Sequence, residues 1–193
     1  MSESVERMDL QLDLLDQALI GAPGDRLADT SRMKHARLPR SLSVGAWHDA
    51  SARYWERIGE HFPNVQFVGV GESGIVLASA LALSPCAGSV ASLTTISKAY
   101  SYVAPDLNPA DGPVVLVDNA MHTGNTARTA ITELQRQMIP VAAFVKLFNY
   151  KDELELEAEF KILADFDVRV HSLYSVDELE ARARGIQRSR HAA

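Results

Sequence analysis

The chain has 193 residues, of which 47% are hydrophobic and 23% charged, and its formal net charge is −6 with the histidines taken as neutral. This composition is that of one globular domain with enough residues for a substantial core, and the acidic balance argues against a general nucleic-acid binder, which usually carries a basic surface. The single cysteine, Cys86, excludes an internal disulfide, and without a membrane-length apolar run or a signal-peptide pattern the sequence predicts a soluble, cytoplasmic protein.

The first third of the chain contains two predicted helices. Hydrophobic residues recur at helical spacing over residues 5–20 and again over residues 46–62. The polar and basic stretch between them, residues 25–45, predicts irregular structure, a short strand or a flap. We therefore expect a single domain in which residues 1–62 form a helical hood and residues 63–187 form an α/β core.

From residue 65 onward, short apolar runs alternate with segments of helical spacing. This alternation predicts a doubly wound, mostly parallel sheet with helices on both faces. Residues 97–112 have neither the apolar run of a strand nor the spacing of a helix, so we predict a long loop there. The predicted strands are 65–70, 89–96, 114–117, 140–147 and 168–173, and the predicted helices are 75–83, 127–138, 152–164 and 176–186.

Residues 114–126 are the most informative segment of the chain. An aliphatic strand ends at Asp118 and Asn119, and a short loop of small and hydroxylated residues then leads into a helix. The start of a helix favours anions, because its backbone N–H groups and its dipole both attract negative charge. The segment therefore predicts an anion site, and the alternative is an ordinary capped turn in some other doubly wound fold.

The same segment resembles the phosphoribosyl-pyrophosphate (PRPP) motif of the type I phosphoribosyltransferases. Two positions depart from that motif, since Asn119 stands where a second acid is usual and His122 where a threonine is usual. With several looser matches, the resemblance covers about residues 65–186 and implies the fold of that family. The matching positions are the aliphatic strand, Asp118, Thr123, Gly124 and Thr126.

The resemblance implies roles for this segment. Asp118 would bind the ribose hydroxyls, directly or beside a metal ion, so it is the candidate metal ligand and, with Asn119, a candidate catalytic residue. Asn119 cannot move a proton as an acid would, because an amide keeps an acceptor and gains donors but carries no charge. His122 adds positive charge if protonated, or acts as a neutral donor. The residues expected to hold the 5′-phosphate are His122, Thr123, Gly124, Asn125 and Thr126, and Met121 is a further candidate substrate-binding residue.

Two further loops are expected at the same edge of the sheet, because ligands bind beyond the carboxyl ends of parallel strands. Glu72, Ser73 and Gly74 lie in a segment that resembles the family's pyrophosphate loop, where Glu72 would orient a metal-bound water. The alternative is that the glycines only tighten a turn. Residues 97–112 resemble a mobile lid, in which Lys98 is the candidate contact to pyrophosphate and a third catalytic residue. The alternative is a solvated loop with an ordinary lysine.

The strand that ends near residue 148 is the candidate binding site for the base. Lys146 resembles a lysine that purine-specific members place near the exocyclic oxygen, and Phe148 is suited to stack on a ring. The alternative is that the aromatic side chain belongs to the core and that Lys146 only lays its stem along apolar surface. Orotate-specific members usually carry an arginine near this point, and Asn149 or Lys151 here argues against orotate.

Taken together, the resemblance implies an enzyme that transfers the 5-phosphoribosyl group of PRPP to a nucleobase and releases pyrophosphate. Mg²⁺ would bridge pyrophosphate oxygens, and relatives are usually homodimers. No membrane or nucleic-acid partner is expected. A non-catalytic regulator that binds PRPP or a nucleotide is the alternative, and Asn119, Glu72 and the poorly basic lid favour it.

Overall fold

The computed structural model describes residues 44–62, 64–84, 89–96, 107–121, 123–149 and 153–175. The predicted helices at 5–20 and 176–186 lie outside the described residues, and so do Lys98 and His122. Within the described part of the chain, no helix is both long enough and apolar enough to cross a membrane.

Five strands form one sheet in which all paired neighbours run parallel. Aliphatic residues fill the three middle strands, and these are almost completely buried, as happens when helices cover both faces of a parallel sheet. The strands are β1 (Asn64–Val70), β2 (Ser89–Ile96), β3 (Val114–Asp118), β4 (Val141–Asn149) and β5 (Arg169–Ser175).

Helices cover both faces of this sheet. On one face, α1 (Val44–Arg57) and α2 (Gly71–Ala82) bury a cluster that includes Phe67 and Val117. On the other face, α3 (Asn125–Arg136) and α4 (Glu153–Phe166) bury a cluster that includes Leu116 and Phe144. The predicted doubly wound α/β fold is therefore confirmed.

The order of the strands across the sheet is β2-β1-β3-β4-β5. From β1 the chain passes through α2 to the edge strand β2, and it then returns to β3 and continues outward in the opposite direction. The direction of winding therefore reverses between β1 and β3. In open parallel sheets, ligands bind in the crevice at this reversal, outside the carboxyl ends of the strands.

The described part of the predicted hood, α1, packs on a face of the sheet. Its Asp49 accepts a hydrogen bond from the hydroxyl of Tyr174 at 2.6 Å. The guanidinium of Arg53 lies 4.2 Å from the centre of the Tyr174 ring, within the range of a cation–π contact. These contacts attach α1 to the carboxyl end of β5.

Two predicted boundaries differ from the structure. The helix predicted over 75–83 begins earlier, at Gly71, directly after β1, so the loop expected around Glu72 and Ser73 is instead the first turn of α2. Gly71 has a φ of 70°, a left-handed value that glycine adopts readily. The predicted helix over 46–62 ends earlier, at Arg57, and a 3-10 turn follows at Gly59–His61. The other predicted elements in the described residues lie within about two residues of their predicted bounds, the usual uncertainty of helix and strand ends.

Candidate functional site

Two helices begin at the carboxyl edge of the two strands where the winding reverses. Helix α2 begins at Gly71, next to the end of β1, and α3 begins at Asn125, shortly after the end of β3. Because β1 and β3 are neighbours, the positive ends of two helix dipoles approach one edge of the sheet from opposite faces. This arrangement favours a ligand that carries more than one negative group.

Asp118 is the last residue of β3 and only 4% of it is exposed. Its Oδ1 accepts a hydrogen bond from the backbone N–H of Asn119 at 2.8 Å. Asn119 is equally buried, and its carbonyl accepts a hydrogen bond from the backbone N–H of Phe148 at 3.0 Å. The carboxylate of Asp118 and the main chain of Asn119 are therefore held by hydrogen bonds at the end of the central strand.

The segment predicted to bind phosphate, called the phosphate loop below, comprises residues 123–126, of which the last two are the first residues of α3. Gly124 caps α3 with a φ of 68°, and its carbonyl accepts the first helical hydrogen bond, from the N–H of Arg128 at 2.8 Å. The backbone N–H groups of residues 125–127 therefore have no helical carbonyl to bind, and they face the start of the helix. A cavity of about 170 Å³ lies at this point, lined by Asp118, Ala120, Met121, Thr123, Gly124, Asn125, Thr126, Ala127 and Phe144. The structure thus brings Asp118, the predicted substrate-binding residue Met121 and the predicted phosphate-binding residues 123–126 together.

Two larger depressions lie elsewhere on the described surface. One, of about 370 Å³, follows the outer side of α3 near Phe166. The other, of about 510 Å³, lies between α4 and the start of β5. Neither includes the carboxyl end of a strand, so the smaller cavity at Asp118 remains the candidate site on chemical grounds.

Glycines bring the start of α2 close to the sheet. A Cβ atom at Gly74 would lie 2.3 Å from the carbonyl oxygen of Val117, and one at Gly69 would lie 2.4 Å from the backbone nitrogen of Ile75. Gly69 and Gly74 therefore allow α2 to pack closely on the sheet, which differs from the predicted alternative that the glycines only tighten a turn. Glu72 and Ser73 lie in the first turn of α2, so their backbone amides belong to the helix start. Their contact with pyrophosphate stays a prediction.

Lys146 lies in the interior of the protein. It is fully buried on β4, and its ammonium donates to the carboxylates of Glu155 and Glu159 on α4. Phe148 is also buried, with its ring 6.3 Å from that of Tyr174. Phe148 lies in the core, as the alternative interpretation has it, whereas the charged end of Lys146 is buried between carboxylates and does not extend along apolar surface to solvent. The contact of either residue with a base stays a prediction.

Glu155 is the residue that sequence reasoning missed. It is fully buried and shares the inner face of α4 with Ala158 and Ile162, at spacings of three and four residues. An acid at a core-facing helical position requires a buried partner, because fully buried carboxylates are rare unless paired. The lysine in the middle of an apolar strand could have identified that partner.

No protein-family model matches the chain, and no curated protein is similar to it in sequence. Solved structures match its fold. Orotate phosphoribosyltransferase of Mycobacterium tuberculosis, in complex with PRPP, is 16% identical with a TM-score of 0.64 over 93% of each chain.

Two further structures share the fold. A phosphoribosyltransferase from Corynebacterium diphtheriae is 12% identical with a TM-score of 0.64, over 92% of this chain and 99% of that one. Adenine phosphoribosyltransferase from Saccharomyces cerevisiae is 17% identical with a TM-score of 0.53, over 68% of this chain and 80% of that one. These structures show that the chain has the fold of the type I phosphoribosyltransferases, as its resemblance to them predicts.

Proposed function

We propose that this protein transfers the 5-phosphoribosyl group of PRPP to a nucleobase and releases pyrophosphate. One observation carries the proposal. A buried carboxylate, Asp118, and the start of α3 at Gly124 line one cavity at the point where the winding of the sheet reverses. A sugar with a phosphate at one end and hydroxyls at the other requires this pairing of an anion site with a hydrogen-bond acceptor.

The proposed reaction breaks the bond from C1 of the ribose to an oxygen of pyrophosphate and forms a bond from C1 to a nitrogen of the base, and the proton that this nitrogen gives up leaves with pyrophosphate. Positive charge develops on the sugar as the first bond breaks. Asp118 would stabilise that charge and accept hydrogen bonds from the ribose hydroxyls, while the amides and hydroxyls of the phosphate loop would hold the 5′-phosphate. Catalysis would therefore come from positioning and electrostatics, without a covalent intermediate.

Mg²⁺ is the proposed cofactor, and Asp118 is the residue that would hold it. Mg²⁺ suits a site with one carboxylate, because it usually binds through one or two carboxylates plus the phosphates of a substrate. Bound there, it would offset the negative charge of pyrophosphate. The further proposed contacts are Lys98 and Glu72 near pyrophosphate and His122 at the 5′-phosphate, and the proposed assembly is a homodimer.

Calorimetric titration of PRPP into the purified protein with Mg²⁺ tests this function, followed by an assay of pyrophosphate release with a panel of nucleobases. We expect saturable binding and release with one class of base. If PRPP binds but no base leads to pyrophosphate release, the protein is a regulator. Failure to bind PRPP would reject both functions.

A non-catalytic PRPP-binding regulator is the second candidate, and the burial of Asn119 favours it. The side chain that replaces the second acid is an uncharged amide, only 4% exposed, next to Asp118. An amide there still binds a sugar but contributes less to stabilising positive charge.

Replacing Asn119 with aspartate separates the two candidates. For an active enzyme adapted to asparagine we expect no gain in pyrophosphate release, together with a loss of about 1–3 kcal/mol in stability, because a second carboxylate would be buried beside the first. The measurements are pyrophosphate release and urea denaturation, with Asn119→Ala as the control for loss of the side chain. A large gain in release in Asn119→Asp would instead indicate a site that has lost its catalytic acid.

A further inference from the structure

We propose that Lys146, Glu155 and Glu159 set the position of α4 against the phosphate loop, so that Lys146 is a positioning residue for the anion site. These three residues are called the ion cluster below. The inference rests on the proposed function for its ligand, PRPP, while its structural part concerns the loop alone.

The ion cluster joins β4 to α4 through buried charges. Lys146 and Glu155 are fully buried, and the ammonium also donates to Glu159 at 2.5 Å. An ammonium in an apolar interior must be paired, and its hydrogen bonds have fixed directions. Because the two carboxylates are one helical turn apart, the lysine specifies both the rotation of α4 and its height above the sheet. Apolar contacts alone are non-directional and specify neither as sharply.

The turn of α4 that carries these carboxylates also supports the phosphate loop. Ala158 lies between Glu155 and Glu159 in the sequence, and a Cβ atom at Gly124 would lie 2.9 Å from the Cβ of Ala158 and 3.5 Å from Cδ1 of Ile162. The helix therefore lies directly against the residue that caps α3. A small shift of α4 must change the space available to Gly124 and, with it, the direction of the amides at the start of α3.

The ion cluster also lies beside the sugar-binding half of the site. Lys146 is the partner of Asp118 in the register of β3 and β4, so the two side chains leave the same face of the sheet on adjacent strands. The paired strands β3 and β4 thus carry both Asp118 and the lysine that holds the helix against the phosphate loop. If the ion cluster served stability alone, α4 would not need to contact Gly124 at the turn that carries Glu155 and Glu159.

Lys146→Met tests the proposal, because methionine fills a similar volume without the charge. In the variant we expect the backbone amide NMR signals of residues 123–126 to shift without ligand, and the Kd for PRPP with Mg²⁺ to rise about 10- to 100-fold, as misplaced binding groups cost affinity. The matched control is Lys161→Met on the same helix, since Lys161 pairs with Glu157 at 2.6 Å on the exposed side. The control should leave both the signals and the Kd unchanged.

A folded Lys146→Met protein with parental loop signals and parental Kd would overturn the proposal, because the ion cluster would then serve stability alone. If Lys146→Met does not fold, Glu159→Gln decides in the same way. That change removes one charge at a position whose side chain is 24% exposed, and it leaves Glu155 on the ammonium. If the parent protein itself does not bind PRPP, the proposed function fails, whereas the loop signals still decide the positioning role.

Discussion

Replacing Asp118 with asparagine is expected to weaken PRPP binding about 10- to 100-fold, since hydrogen bonds to a charged group contribute about 1.5–3 kcal/mol. Asparagine has the same shape, and its side-chain oxygen can still accept the N–H of Asn119 that now lies 2.8 Å from Oδ1. The substitution therefore removes the charge without removing the contact that holds the loop. Pyrophosphate release should fall further than binding, by about 100- to 1,000-fold, because charge on the sugar develops only in the transition state.

Calorimetry and a pyrophosphate assay measure these two effects, and circular dichroism verifies the fold. Asp167→Asn is the matched control, because Asp167 is exposed, lies away from the cavity and has a φ of 55° that asparagine tolerates. If a folded Asp118→Asn protein binds PRPP and releases pyrophosphate as its parent does, the carboxylate of Asp118 is not part of the site.

Gly74→Ala is expected to reduce the free energy of unfolding by about 1–3 kcal/mol, the usual range for overpacking an interior. The added methyl group would lie 2.3 Å from the carbonyl oxygen of Val117, in the backbone of the central strand β3. A strand paired on both sides cannot move aside, so α2 must lift away from the sheet. Urea denaturation with and without PRPP measures the loss of stability and its effect on the site.

The critical observation is whether Gly74→Ala lowers or raises the free energy of unfolding. Alanine replacing glycine inside an ordinary helix stabilises it by about 1 kcal/mol, so helix propensity alone predicts the opposite result. Val76→Ala, at a partly exposed position of the same helix, is the control and should change stability little. A Gly74→Ala protein as stable as its parent would show that α2 does not pack this closely on β3.

The features of the site that depend on local sequence could be predicted from the sequence. The run of aliphatic residues before Asp118 specifies a buried strand, and the Gly124 loop with a helix after it specifies an anion site at the end of that strand. Both patterns are complete within about a dozen consecutive residues, and the structure has the strand and the start of the helix at the predicted places, while the binding of an anion there stays a prediction.

The features that depend on tertiary packing could not be predicted in this way. In the sequence, Gly74 cannot be distinguished from any glycine in a turn. Its close approach to Val117 is seen only once β1 and β3 are paired in the sheet. In the sequence, Lys146 resembles a ligand-binding lysine. Its structural role is seen only from the fold, in which α4 covers the face of β4 that carries Lys146. Glu155 shows its importance only together with Lys146, because neither charge could be buried without the other.

The parallel pairing of the sheet also has a consequence for how the chain folds. No two neighbouring strands are joined by a hairpin, and β1 and β3 meet only after α2 and β2 have been passed. Such non-local pairings are slow to form, because the chain loses loop-closure entropy before the contacts compensate for it. During synthesis β1 and β2 can pair early, but the edge that carries Asp118 does not exist until β3 has been inserted beside β1. The binding site is therefore assembled in the same step that completes the centre of the sheet, so an incompletely folded chain should have no partial affinity for its ligand.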